Sequence, residues 1–137
     1  MAPSPPFGSL DFVYVPTADV EAAVDRYVDG LGAELVWLVR GMGTTVAAVR
    51  LSADGPLLLL SGHLGGDVPI LVYRVEDHAA TVAALRSGGI DDLDELEIPH
   101  GPVAAFRMPD GQRLAVYELT RPGAVTHFDG RDDRTDR

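Results

Sequence analysis

The feature that most constrains this chain is an internal repeat. Asp19 and Asp77 stand 58 residues apart, and in that register Ala22 meets Ala80, Val24 meets Val82 and Tyr27 meets Leu85. Asp54-Gly55 and Asp110-Gly111 stand 56 apart, so the second half is two residues shorter between those marks. Each half reads as strand, helix and three strands. In the first, the β-branched and aromatic run Asp11-Phe-Val-Tyr-Val15 is a strand. Thr17 or Asp19 can N-cap a helix with Val20, Ala23, Val24, Tyr27 and Val28 at helical spacing, closed by Gly30 and Gly32. Strands follow at 33–39, 44–51 and 57–61, the first with Leu35, Trp37 and Val39 on one face. The pattern restarts with a strand over 70–75, a helix capped by Asp77 and ended by Gly88-Gly89, and strands at 92–98, 102–108 and 113–119.

A chain of 137 residues is one domain's length. We expect a flexible arm at 1–9, a single domain over 10–119 (module 1 about 10–62, module 2 about 69–119) and a polar, disordered or loosely held tail at 120–137. The helices should lie outside two curved mixed sheets enclosing a concave cavity. Leu57-Leu-Leu-Leu60 and Ile70-Leu-Val-Tyr73 are apolar on both sides, so both of their faces need cover. A helix supplies one. The concave side must meet the other half, a partner chain or a ligand.

The net charge is −10, all eleven basic residues are arginine, and the four arginines and four aspartates beyond Thr120 cancel. The acidic body repels phosphate backbones, which argues against nucleic acid, and it favours cationic ligands. Lysine Schiff-base chemistry is absent with lysine, and disulfides and thiolate metal sites with cysteine. The N-terminus has no apolar export core, and no run is long enough to span a bilayer, so a cytoplasmic location without membrane attachment is expected.

Four segments in this order resemble the vicinal-oxygen-chelate superfamily of glyoxalases, bleomycin-resistance proteins and extradiol dioxygenases. They are Asp11-Phe-Val-Tyr-Val-Pro-Thr-Ala-Asp-Val-Glu21, Tyr27-Val-Asp-Gly-Leu-Gly32, Tyr73-Arg-Val-Glu-Asp77 and Pro109-Asp-Gly-Gln-Arg-Leu-Ala-Val-Tyr-Glu118. The resemblance spans nearly the whole body and implies an α+β fold of two βαβββ modules. Enzymes of that family carry His and Glu metal ligands on the first and last strands of each module. The corresponding positions here are Phe12, Leu59, Ile70 and Ala115. None offers an oxygen or imidazole donor. The resemblance then implies the metal-free branch, with no cofactor, and a homodimer. The modules can pair within one chain or across two.

Strand alternation extends the inner face from Phe12 to Tyr14, from Leu59 to Leu57 and Ser61, from Ile70 to Val72 and Arg74, and from Ala115 to Arg113 and Tyr117, with a few polar groups near its ends and Trp37 as further wall or core. This apolar, partly aromatic surface suits a small apolar or aromatic ligand, including a cationic one. Glu118 should face away from it. Of the histidines, His63 reads as an exposed loop residue, His78 as solvated and His127 as part of the tail. His100, before a strand at the mouth of module 2, is the one candidate general base. Ser61 has no triad partners in the pattern. The leading expectation is metal-independent binding that sequesters a ligand such as an antibiotic. The alternatives are a metal-independent lyase or isomerase with His100, Tyr14 or Tyr117 as acid–base groups, and a regulatory or interaction module with no ligand.

Overall fold

In a computed structural model of the chain, residues 5–41 and 43–134 are described. The strands are β1 (Leu10–Pro16), β2 (Glu34–Gly41), β3 (Thr44–Arg50), β4 (Leu57–Ser61), β5 (Ile70–Val75), β6 (Asp94–Ile98), β7 (Gly101–Arg107) and β8 (Arg113–Glu118). Helix α1 (Val20–Asp25) runs on into a wider turn over Arg26–Gly30, and α2 spans His78–Ser87. The repeat marks do the same local work in both halves. Asp19 accepts a hydrogen bond from the Ala22 N–H at 3.1 Å, and Asp77 from the Ala80 N–H at 3.0 Å, each capping its helix.

The eight strands form one mixed curved sheet in the order β2-β3-β4-β1-β5-β8-β7-β6. β1 runs parallel to β4, and β5 parallel to β8, so each module closes its first strand on its last. The modules join edge to edge within one chain, where β1 pairs antiparallel with β5 and sets Phe12 opposite Val72 and Tyr14 opposite Ile70.

The sheet is apolar on both faces. Under α1, Leu38, Ala47, Val49 and Leu60 pack with Val20 and Val24. Under α2, Val75, Ala104 and Val116 pack with Val82. On the opposite face Phe12, Val36, Ala48, Leu59, Val72, Val103, Ala115 and Tyr117 form a third cluster. The leucine run of β4 therefore serves two layers, with Leu59 in one and Leu60 in the other. No helix among the described residues is long and apolar enough to cross a membrane.

Several expectations are corrected. The arm is seated over residues 7–9. The Gly8 N–H donates to the Arg74 carbonyl at 2.8 Å, and the Phe7 ring lies 5.6 Å from that of Tyr73. Residues 1–4 lie outside the described residues. The tail is held too. The Gly130 N–H donates to the Val36 carbonyl (2.9 Å), the Leu38 N–H to the Arg131 carbonyl (2.7 Å) and the Asp133 N–H to the Leu38 carbonyl (3.0 Å). Leu38 and Asp132 form a parallel bridge, so the segment lies along the outer edge of β2 and satisfies backbone groups an edge strand leaves open. Residues 135–137 lie outside the described residues. A register shift between Leu35 and Trp37 breaks the alternation in β2. Leu35 packs under α1, while Val36 and Trp37 meet the concave cluster. His78 is buried, its N–H donating to Glu118 Oε1 at 2.9 Å and its Nε2 3.6 Å from Glu95 Oε1. Glu118 faces away from the concavity, as alternation requires, and caps the start of α2.

Candidate functional site

The concave face holds a cavity of about 100 Å³. Its floor is Phe12, Tyr14, Trp37, Leu57 and Leu59; its roof is Pro99, His100, Ala124, Val125 and Phe128. The roof comes from two places. Pro99 and His100 lie in the β6–β7 turn, and the other three follow β8 in the segment read from sequence as a loose tail. Phe128 stacks on Trp37 with ring centroids 5.6 Å apart. Trp37 is therefore pocket wall as well as partly buried packing.

Of the other sequence-derived candidates, Ile70, Val72, Ala115 and Tyr117 belong to the same apolar cluster beside this cavity. Arg113 is not brought there. Its Nε donates to the Val68 carbonyl at 3.0 Å, and Nη2 bonds the same oxygen, so it ties β8 to the linker between modules. The four positions at which the resemblance places metal ligands, Phe12, Leu59, Ile70 and Ala115, lie on the four central strands within or against one apolar cluster. A divalent cation needs oxygen, nitrogen or sulfur donors, and these residues do not fit one. Among the described residues no group of three or more His, Asp or Glu side chains assembles elsewhere.

A polar cluster closes one end of the concave face, where alternation puts Tyr117 and Arg74 but not Asp11 and Ser9. The Asp11 carboxylate accepts a hydrogen bond from the buried Tyr117 hydroxyl, one from Arg74 Nε at 2.8 Å and one from Ser9 Oγ at 2.5 Å. The Arg74 guanidinium lies 6.0 Å from the Tyr117 ring centroid. Burial alone would raise the Asp11 carboxyl. The hydrogen bonds from Ser9, Tyr117 and Arg74, with the Arg74 charge, outweigh it and hold the group below its ordinary 3.8. Burial pushes Tyr117 up, and its bond to Asp11 and the Asp11 charge push it further. Its phenol therefore stays protonated at neutral pH, committed as donor to Asp11. Burial likewise raises Tyr14. One sequence signal existed: Asp11 is an acid inside an otherwise apolar strand start. Its inward turn comes from a register shift between Leu10 and Phe12 that the sequence does not announce.

Stability should record this cluster. The folded pKa of Asp11 lies below the unfolded one, so its contribution is fully present above pH 3.8 and is lost as pH falls below that value. The urea midpoint of wild type should exceed that of Asp11→Asn at neutral pH, and the gap should narrow on acidification below pH 3.8. A gap that does not change with pH would place the carboxylate's worth elsewhere.

His100 sits where the two regions meet. Its ring lies 5.0 Å from that of Phe12, in an edge arrangement, and 6.1 Å from that of Tyr117. Its carbonyl accepts from the N–H groups of Thr120 (3.0 Å) and Arg121 (3.1 Å), which fixes the turn against the end of β8. Its Nδ1 is buried with no hydrogen-bond partner. Burial lowers its pKa, the Asp11 charge partly opposes this, and Arg74 and Arg121 lower it further. The imidazole is therefore neutral at neutral pH, with one nitrogen free to accept.

No family model matches the sequence, and no curated protein matches it. Solved structures do. Methylmalonyl-CoA epimerase from Mycobacterium tuberculosis is 22% identical with a TM-score of 0.70, covering 91% of this chain and 97% of that one. A Streptomyces coelicolor methylmalonyl-CoA epimerase in complex with 2-nitronate-propionyl-CoA is 17% identical with a TM-score of 0.65, covering 84% and 99%. Catechol 2,3-dioxygenase is 14% identical with a TM-score of 0.61, covering 82% of this chain and 42% of its own. Identities this low carry the fold and nothing finer.

Proposed function

We propose that this chain, which has the vicinal-oxygen-chelate fold, binds a small apolar or aromatic molecule in the concavity of its sheet without a metal ion. The observation that carries the reading is the replacement of every metal-ligand position by an apolar side chain, beside a cavity walled by Phe12, Tyr14, Trp37, Leu57 and Leu59. Capture would rest on burial and ring contacts. No carboxylate lines the cavity, and Asp11 is engaged by Ser9, Arg74 and Tyr117, so a neutral ligand fits better than a cation. A cytoplasmic location and the homodimer implied by the resemblance belong to the same reading. Light scattering would test the dimer. An antibiotic is far larger than about 100 Å³, so sequestering one requires Ala124, Val125 and Phe128 to move off the face.

A second reading, metal-independent isomerisation or elimination, is favoured by the neutral imidazole of His100 in the cavity wall, whose Nδ1 is buried without a partner. Turnover lost in His100→Ala with binding retained would support it.

The test is thermal unfolding against divalent cations, EDTA and a panel of aromatic small molecules. A ligand of the native state at a hundredfold excess over its Kd stabilises by about 2.7 kcal/mol, about 10 °C for a domain this long. A shift with an aromatic compound and none with cations or EDTA is expected. A shift with a cation, reversed by EDTA, would overturn the metal-free reading.

A further inference from the structure

We propose that the C-terminal segment makes the concave face a compartment for one ring carrying a hydrogen-bond donor, with Phe128 setting the size limit and His100 accepting from the donor. This rests on the reading of the concavity as a ligand site and names its ligand class.

The segment is a strap fixed at both ends. At its start, the Thr120 and Arg121 N–H groups bond the His100 carbonyl, and the Arg121 guanidinium donates to the Pro99 carbonyl (2.7 Å), the Ile98 carbonyl (2.7 Å) and Glu97 Oε2 (2.5 Å). At its end, it pairs along β2. There the Arg40 N–H donates to Asp133 Oδ2 at 2.7 Å, and Arg134 reaches Asp25, the last residue of α1, at 3.0 Å. Between these ties Phe128 is gripped by Trp37 on one side and by the Arg131 guanidinium, 5.7 Å from its ring centroid, on the other. A roof held this way is a wall of the site.

Size follows from that wall. A closed apolar cavity of about 150 Å³ accepts benzene, and this one measures about 100 Å³. One ring, with slight yielding of the roof, is the upper bound. Two fused rings require Phe128 to leave.

The donor follows from His100. His100 lines the cavity and its Nδ1 is buried without a partner. With the ring protonated on Nε2, Nδ1 is an acceptor, and a ligand O–H or N–H that meets it recovers the cost of leaving it unmatched. The Tyr117 hydroxyl is already given to Asp11, so it does not compete for the imidazole. A neutral ring bearing a hydroxyl or amino group satisfies the apolar floor and the free nitrogen together.

The experiment is calorimetric titration of the full chain with phenol, toluene and 2-naphthol, with emission of Trp37, the only tryptophan, placing the probe at the site. In His100→Leu the phenol-to-toluene affinity ratio is expected to fall about fivefold, the worth of one hydrogen bond. His100→Gln, which keeps an acceptor, should retain the ratio. In Phe128→Ala the 2-naphthol-to-phenol ratio is expected to rise about tenfold or more, the relief of an overpacked roof. A phenol-to-toluene ratio unmoved by His100→Leu overturns the donor assignment. A naphthol-to-phenol ratio unmoved by Phe128→Ala overturns the size limit. If no probe binds wild type or Phe128→Ala, the ligand-site reading falls with both.

Discussion

Ala115→Glu is expected to lower the thermal midpoint by about 10–20 °C at neutral pH, and no divalent cation should rescue it. The substitution puts a carboxylate where the fold's metal-binding enzymes carry theirs. Ala115 is 2% exposed on a central strand, opposite Val72 on one side and Ala105 on the other. Its cluster offers no cation: Arg113 is tied to the Val68 carbonyl and Arg74 to Asp11. A buried charge without a partner costs about 3–5 kcal/mol, which converts to that shift at about 4 °C per kcal/mol for a chain this long. The pH dependence gives the effect a signature. Burial raises the folded pKa of the new carboxyl above its unfolded value, so the penalty is absent below about pH 4 and grows as pH rises from there toward the folded pKa. Ala115→Met, with similar bulk and no charge, should show only the pH-independent steric part. Recovery of the Glu variant by manganese or zinc would mean the neighbouring positions do supply donors.

How far the fold and the site could be read in advance depends on where the relevant energy resides. The repeat was legible because its marks are side-chain chemistry: Asp19 and Asp77 cap helices, and they recur with the two Asp-Gly turns. The two-sided leucine run of β4 was legible because double burial selects composition. The strap was not. Its attachment to β2 uses backbone hydrogen bonds at a sheet edge, which any sequence can make, and its arginines and aspartates read as solvated. Only Ala124, Val125 and Phe128 hint at burial, and three apolar residues without periodicity fix no element. The register shifts at Asp11 and at Val36 hid the rest. A one-residue slip turns a side chain to the other face, so simple alternation lost Asp11 from the concavity and put Leu35 on the same side as Trp37. His78 was misplaced because the acid at the N-terminus of α2, Glu118, comes from a strand forty residues away.

Gly101→Ala should be the most damaging addition of a single methyl group to this chain, and it should remove ligand binding along with stability. Gly101 opens β7 with φ at +151°, a conformation L side chains rarely adopt. A Cβ there would overlap the Glu118 carbonyl oxygen and lie 2.8 Å from Thr120 Oγ1. Backbone strain of about 1–3 kcal/mol adds to overpacking of about 1–3 kcal/mol, so a loss of about 4 kcal/mol in urea unfolding is expected. Gly111→Ala is the control. Its φ is also positive, at +94°, but nothing lies within 4 Å of the added Cβ, so only the strain should register. The difference between the two variants isolates the crowding. That crowding falls where the site is assembled. Glu118 ends β8, the N–H groups of Thr120 and Arg121 just beyond it hold the His100 carbonyl, and the strap departs from the same point. Forcing Gly101 away from β8 moves His100 off Phe12 and loosens the start of the roof together. Phenol affinity should therefore fall in Gly101→Ala under conditions where the variant is still folded, and remain near wild type in Gly111→Ala. Equal losses in the two variants would show that the β6–β7 turn yields without disturbing the cavity.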